Sequence, residues 1–283
     1  GSTIYVLYKL LEHAGHNNEK HQSLYDLFKG KRILILHSGG DSRRLPAYSA
    51  VGKIFIPLPT SRFPLWKRGV GGIFGFVTLF DLLFSNLMQL PCLNEGQIIV
   101  ASGDVLLSFD ASKVAFSDSG VTGLAYPGSV EIASAHGVYC VYGSKPVLIA
   151  PNTQSEGTFR KVTDFLQKPT YDELKRCSLR SPTTSSYGNG LDTANRAFID
   201  TGVMNFGIDA IKVLMESSGI FLKDGKVIVE KNSLLENIIN ANLQLDIYKE
   251  IPYAFLGKKD GYSVDFTNAL IKIPFFVNVL PYC

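Results

Sequence analysis

The apolar run Arg32-Ile-Leu-Ile-Leu36 constrains this chain more than any other stretch, because Gly39-Gly40 lies just past its end, with Arg43, Arg44 and Lys53 beyond. A short run without polar interruptions has the length and aliphatic content of a strand buried on both faces. Glycines after such a strand let the backbone approach a ligand closely, and their N–H groups can line an anion-binding concavity. The guanidinium and ammonium groups that follow can neutralise a polyphosphate. A strand running into a phosphate loop belongs to an open α/β sheet, whose ligands sit beyond the carboxyl ends of the strands.

Spacing narrows the kind of loop. A Walker A loop needs a glycine, four residues and then Gly-Lys-Ser/Thr. Here Gly52-Lys53 is followed by Ile54, and Ala47 stands where the first glycine belongs. The nearest approach to a dinucleotide fingerprint, Gly69-Val-Gly71-Gly72-Ile-Phe-Gly75, misses the third glycine and has no clear strand before it. What fits is Gly39-Gly40-x-x-x-Arg44-Leu45-Pro46, closed by Gly52-Lys53. This resembles the Gly-Gly-x-Gly-Thr-Arg-Leu…Pro-Lys signature of sugar-nucleotide pyrophosphorylases, with Ser42 replacing a glycine and Arg43 a threonine. The variant beginning at Ser38 and closing on Gly52-Lys53-Ile54-Phe55 resembles the fucose-1-phosphate guanylyltransferase (GDP-L-fucose pyrophosphorylase) family in particular.

At 46% hydrophobic and 19% charged residues, the 283-residue chain has ample material for one large core. A net charge of +3 suits an anionic small molecule. The longest basic runs, Lys31-Arg32 and Lys258-Lys259, read as solvated turns, so no nucleic-acid surface is expected. The four cysteines are widely spaced with no CxxC pair, which argues against a disulfide framework or zinc site and for a reduced, cytoplasmic setting. No stretch reads as a signal peptide or a membrane span, and no membrane partner is expected. The opening Gly1-Ser-Thr-Ile-Tyr has two readings: a cloning scar, or part of a second glycine-rich loop like the family's, followed by a helix. Either way the chain reads as part of a longer protein.

Along the chain, residues 4–11 have helical spacing and 15–22 form a polar loop. Residues 63–75 read as a mobile connection before a helix over 76–88. Strands follow at 98–102, 121–126, 138–141 and 157–167, the last entering a turn at Lys168-Pro169. A short helix spans 171–176, and 178–195, dense in Ser, Thr, Gly and Asn, reads as a flexible loop. Residues 198–206 read as a strand interrupted at Thr201-Gly202, with helices over 208–215 and 234–245. Strands alternating with helices predict a mostly parallel, Rossmann-like α/β sheet with helices on both faces. The family resemblance divides the chain into a nucleotidyltransferase domain over 1–262 and the start of a β-rich, β-helix-like segment over 263–283.

Further elements carry the resemblance in the family's order. Ser102-Gly103-Asp104 puts a carboxylate at a strand end, where one or two carboxylates plus phosphate oxygens suit Mg²⁺; the same pair is also a common turn. His136-Gly137 matches the family's His-Gly beside the sugar phosphate. Phe165-Leu-Gln-Lys168-Pro169 matches its Gln-Lys-Pro, whose lysine reaches phosphate. Asp200-Thr201-Gly202 matches the element that contacts sugar hydroxyls, and a carboxylate accepting two hydroxyl hydrogen bonds is a sound way to read a sugar. Asp246 in Asp-x-Tyr248 is either a second metal ligand or a structural acceptor.

The resemblance therefore implies an enzyme that joins GTP and β-L-fucose-1-phosphate with Mg²⁺, releasing GDP-L-fucose and pyrophosphate. Arg44, Lys53 and Lys168 would be the catalytic cations. Ser38, Gly39, Gly40, Asp41, Ser42 and Arg43 would hold the nucleotide. His136, Gly137, Asp200, Thr201 and Gly202 would hold the sugar phosphate, and Asp104 and Asp246 the metal. Two alternatives stay open: a uridylyltransferase or other sugar-1-phosphate nucleotidyltransferase, and a catalytically silent nucleotide-sugar-binding subunit. Intact Lys53, Asp104 and Lys168 weigh against the second.

Overall fold

The computed structural model describes residues 2–15, 23–38, 52–58, 77–141, 146–148, 158–177, 196–240, 243, 245–258 and 263–280. Eleven strands follow in chain order among them: β1 (Arg32–His37), β2 (Gln97–Ser102), β3 (Val121–Ser129), β4 (Gly137–Cys140), β5 (Pro146–Leu148), β6 (Thr158–Lys161), β7 (Asp164–Gln167), β8 (Arg196–Gly207), β9 (Ile220–Lys223), β10 (Lys226–Val229) and β11 (Phe275–Val279). The helices are α1 (Ser2–Gly15), α2 (Leu24–Phe28), α3 (Leu79–Leu87), α4 (Val130–Ala133), α5 (Tyr171–Cys177), α6 (Ile208–Ser217), α7 (Leu234–Ile239), α8 (Glu250–Phe255) and α9 (Val264–Leu270).

The main sheet runs β1-β2-β8-β3-β11-β6-β5, with β4 pairing β8 and carrying β7 on its other side. β1 is parallel to β2 and β3 to β11, while β8 is antiparallel to both β2 and β3. The strands β1, β2, β3 and β11 thus share one direction, and the centre of the sheet is largely parallel. Strand alternation explains the helices on both faces. Ile33, Ile35, Ile98 and Val100 point into a core shared with Leu7 of α1, Ile211 of α6, Phe255 of α8 and Leu270 of α9. Leu34, Leu36, Ile99 and Ala101 turn to the opposite face, against Leu87 of α3 and Phe116.

Capping sets the limits of α3. Thr78 and Asp81 form a reciprocal capping box at its start. The Arg32 guanidinium donates to the Leu87, Met88 and Leu90 carbonyls at and just past its end, at 3.1, 3.2 and 2.8 Å. Arg32 is therefore a tether between β1 and α3, not a solvated turn residue.

Four other expectations change. The 157–167 strand is two strands, because Val162 turns inward and donates its N–H to the Phe275 carbonyl at 2.8 Å; β6 then pairs β11 and β7 pairs β4. The helix expected over 234–245 ends at Ile239. β8 is continuous through Thr201-Gly202: the register shifts from Gly123↔Met204 to Ala125↔Asp200, a bulge in which Gly202 takes φ 70°. Cys140 and Cys177 are joined as a disulfide with Cα atoms 5.1 Å apart, since β4 and α5 pack together, while Cys92 is free. The segment after residue 262 supplies α9 and β11, and β11 lies inside the main sheet between β3 and β6. The expected loops at 63–75 and 178–195 lie outside the described residues. Among the described residues, no helix is long and apolar enough to cross a membrane.

Candidate active site at the strand ends

Three pieces of chain meet where β1 and β2 end. The Gly103 N–H donates to the His37 carbonyl at 2.8 Å, and a Cβ on Gly103 would lie 2.7 Å from that oxygen, so this approach requires glycine. Buried Ile54 packs against the same point, its Cδ1 3.3 Å from the position such a Cβ would take. Ile54 thereby docks the 3₁₀ turn Lys53–Phe55, entered through Gly52 at φ 85°, beside Gly103-Asp104. Ser102 hydrogen-bonds the Asp104 carboxylate. The β8 bulge closes in from the neighbouring strand: a Cβ on Gly202 would sit 2.9 Å from Ser102 Cβ. Lys53, Asp104 and Asp200 are thus brought to one end of the sheet from widely separated stretches.

Asp200 is held by two donors, the Tyr139 hydroxyl at 2.9 Å and the Gly202 N–H at 3.0 Å, both to Oδ1. Burial nonetheless pushes its carboxyl up to about 6; the two hydrogen bonds pull it down, and the charge of Asp246 adds to the rise. Tyr139 is fully buried on β4, two residues beyond Gly137 and so on the same face. A Cβ on Gly137 would lie 3.2 Å from Asp200 Cβ and 2.7 Å from Phe165 Cζ, so only glycine fits against the carboxylate. The backbone N–H of Lys168 donates to the His136 carbonyl at 2.9 Å, which puts these two exposed residues together at the mouth of β4 and β7. Lys168 has φ 48°, a left-handed conformation that a non-glycine residue adopts only at an energetic penalty. The Thr201 hydroxyl donates to the Leu124 carbonyl at 2.8 Å and stabilises the bulge that aims Asp200.

Asp246 lines one cavity together with His37, the last residue of β1. Its Oδ1 accepts the Tyr248 N–H at 2.8 Å. The Tyr248 hydroxyl is raised well above the ordinary phenol range, first by burial and then by the charges of Asp200, Asp246 and Asp104. The charges of Asp200, Asp246 and Asp104 thus all act on one phenol, whose Oη has no hydrogen-bond partner. Its ring stands edge-on to His37 with centroids 5.5 Å apart. Burial keeps the His37 imidazole below its ordinary pKa, and its Nε2 shares a 2.8 Å hydrogen bond with the Thr3 hydroxyl. A cavity of about 610 Å³ opens beside His37 and Asp246, lined also by Ser2, Tyr5, Leu243 and Leu245; Lys53, Asp104, Lys168 and Asp200 do not line it. That volume suits a small-molecule ligand.

The donor chemistry fits a hard divalent cation. Asp104 and Asp246 are both exposed carboxylates, each with one oxygen accepting from a neighbouring donor. No group of three metal-ligating side chains occurs among the described residues. A cation here would complete its shell with phosphate oxygens and water, as Mg²⁺ does. Gly39, Gly40, Asp41, Ser42, Arg43 and Arg44 lie outside the described residues, and Ser38 is the exposed end of the chain leading to them. Sequence reasoning missed Tyr139 and gave His37 no role. The period-two relation of Tyr139 to Gly137 was the available signal for the first.

The Fucose pyrophosphorylase domain family matches residues 25–274. The bifunctional fucokinase/GDP-fucose pyrophosphorylase of Arabidopsis thaliana is 33% identical over 144 residues, covering 51% of this chain and 13% of that protein. The fucose-1-phosphate guanylyltransferase of Homo sapiens is 29% identical over 251 residues, 87% of this chain and 37% of the relative. The L-fucokinase/L-fucose-1-P guanylyltransferase of Bacteroides fragilis is 28% identical over 193 residues, 68% and 17% respectively. The chain thus spans no more than 37% of the length of these relatives. A solved UDP-glucose pyrophosphorylase complexed with UDP-glucose aligns with a TM-score of 0.45 at 12% identity, covering 89% of this chain and 90% of that one. Matched across residues 25–274, the chain belongs to the fucose pyrophosphorylase domain family.

Proposed function

We propose that the chain transfers GMP from GTP to β-L-fucose-1-phosphate, giving GDP-L-fucose and pyrophosphate. The observation that supports this most is the meeting of Gly103-Asp104, the Lys53–Phe55 turn and the Asp200–Gly202 bulge at the carboxyl ends of β1 and β2. Relatives whose names carry this activity match 87% and 68% of the chain. In-line nucleotidyl transfer asks the protein mainly to position the phosphates and neutralise their charge.

In this reading a sugar-phosphate oxygen attacks the α-phosphorus and pyrophosphate departs, with no covalent enzyme intermediate. Arg44 and Lys53 neutralise the triphosphate, and Ser38, Gly39, Gly40, Asp41, Ser42 and Arg43 form the loop around it. Lys168 and His136-Gly137 meet the sugar phosphate. Asp200, ionised above pH 6, accepts hydrogen bonds from sugar hydroxyls, and the Thr201-Gly202 bulge aims it. Asp104 and Asp246 would hold Mg²⁺, which supplies charge neutralisation on the phosphate oxygens. We place the reaction in the cytoplasm.

The test is pyrophosphate release with each nucleoside triphosphate against a panel of sugar-1-phosphates. Fastest turnover with GTP and fucose-1-phosphate supports the reading. A preference for UTP, or for a non-fucose hexose phosphate, replaces it with the corresponding transferase.

A further inference from the structure

We infer that Lys258 is a positioning residue that fastens the sugar-phosphate half of the site to the half carrying Asp246. Lys258-Lys259 reads in the sequence as a solvated turn, but the Lys258 side chain is engaged on three sides. Its Nζ donates to the Phe165 carbonyl at 2.8 Å, forms an ion pair with Asp164, and lies 4.9 Å above the Tyr253 ring. β7 pairs only with β4 among the described strands, so the Phe165 carbonyl lies on a strand edge, and Lys258 satisfies it there. The clamp connects directly to the carboxylate that reads the sugar. The Phe165 ring packs on Tyr139 with centroids 5.1 Å apart, and Tyr139 donates to Asp200 at 2.9 Å. Two residues beyond Phe165 the strand ends, and Lys168 follows.

The other end of the same helix holds Asp246. α8 begins at Glu250, whose N–H donates to the Asp246 carbonyl at 2.9 Å and whose carboxylate accepts the Asp246 N–H. α8 ends at Phe255, and the Lys258 N–H donates back to the Tyr253 carbonyl at 2.9 Å, with Gly257 at φ 73° making the turn. A helix less than two turns long thus links Asp246 at its start to β7 at its end. Lys258 fixes how far Lys168 and Asp200 stand from the metal-side carboxylate.

The inference rests on the assignment of Asp200 and Lys168 to the sugar phosphate, and the test separates the two. Lys258→Met and Lys258→Arg are compared with the parent for both KM values, kcat, and amide hydrogen exchange of residues 164–168 in the unliganded protein. The expected result for Lys258→Met is faster exchange at 164–168 and a KM for fucose-1-phosphate raised about 10-fold, the scale of a sub-ångström misplacement. The KM for GTP should stay unchanged, and Lys258→Arg should restore both readouts. Unaltered exchange, or equal changes in both KM values, would overturn the inference. Altered exchange with no turnover of fucose-1-phosphate by the parent would keep the clamp and overturn the substrate reading instead.

Discussion

Replacing Asp200 by Asn removes a charge that the fold holds at a disadvantage, and the size of that disadvantage follows from the titration. The carboxyl has a pKa of about 6 in the folded chain against an ordinary 3.8. Between those two values the folded state binds more protons than the unfolded state, so this group's contribution to stability is present at low pH and is lost as pH rises through about 6. At 1.36 kcal/mol per unit, the displacement is worth about 3 kcal/mol. Asn keeps the shape and can still accept from the Tyr139 hydroxyl and the Gly202 N–H, but it does not titrate. Asp200→Asn should therefore gain stability relative to the parent as pH rises from 4 to 7, by up to about 3 kcal/mol, then level off. Urea unfolding of both proteins at several pH values measures this difference directly, since all other carboxylates cancel. The same variant should bind fucose-1-phosphate more weakly, because a buried charge kept at such an expense serves recognition. A stability difference that is flat with pH would refute the argument, for Asp200 would then titrate as an ordinary surface carboxylate.

Lys53→Ala should lower kcat by about 100-fold or more, the effect of losing one preorganised charge donor, with a small change in melting temperature; a folded variant with parental turnover contradicts the assignment. Asp104→Asn should raise the Mg²⁺ concentration for half-maximal rate, and an unchanged metal titration would make the Ser102–Asp104 pair structural. Gly137→Ala should destabilise by about 1–3 kcal/mol, because its Cβ would meet the fully buried Phe165 ring at 2.7 Å. An unaltered thermal melt would show that the Phe165 ring yields.

What could be read in the sequence was local. β1 and β2 are unbroken apolar runs, and each side chain's face follows from period-two alternation, so both buried strands and the glycines ending them were visible before any tertiary contact was known. Asp104 was recognisable as a Gly-Asp pair at a strand end and Asp200 through the family's Asp-Thr-Gly, whereas the close backbone approaches that require Gly103 and Gly202 appear only in the structure. What stayed hidden depends on contacts between distant segments. Nothing in residues 275–279 says that they pair with β3 on one side and β6 on the other. The Cys140–Cys177 bond needs β4 packed on α5, and no spacing encodes that. Lys258 looked solvated because its partners, Asp164 and Phe165, lie on a strand edge more than 90 residues earlier. Tyr139 hid among the apolar residues of β4, where only its hydroxyl distinguishes it from core.

The most direct test of guanylyl transfer at this cluster is the fate of the α-phosphorus. Incubation with GTP radiolabelled at the α-phosphate, fucose-1-phosphate and Mg²⁺ should move the label into GDP-fucose in equal amount to the pyrophosphate released. Separate Asp104→Asn and Asp246→Asn variants should lose most of that transfer. Label that remains in GTP, or transfer that survives both substitutions, would contradict a site built from these carboxylates.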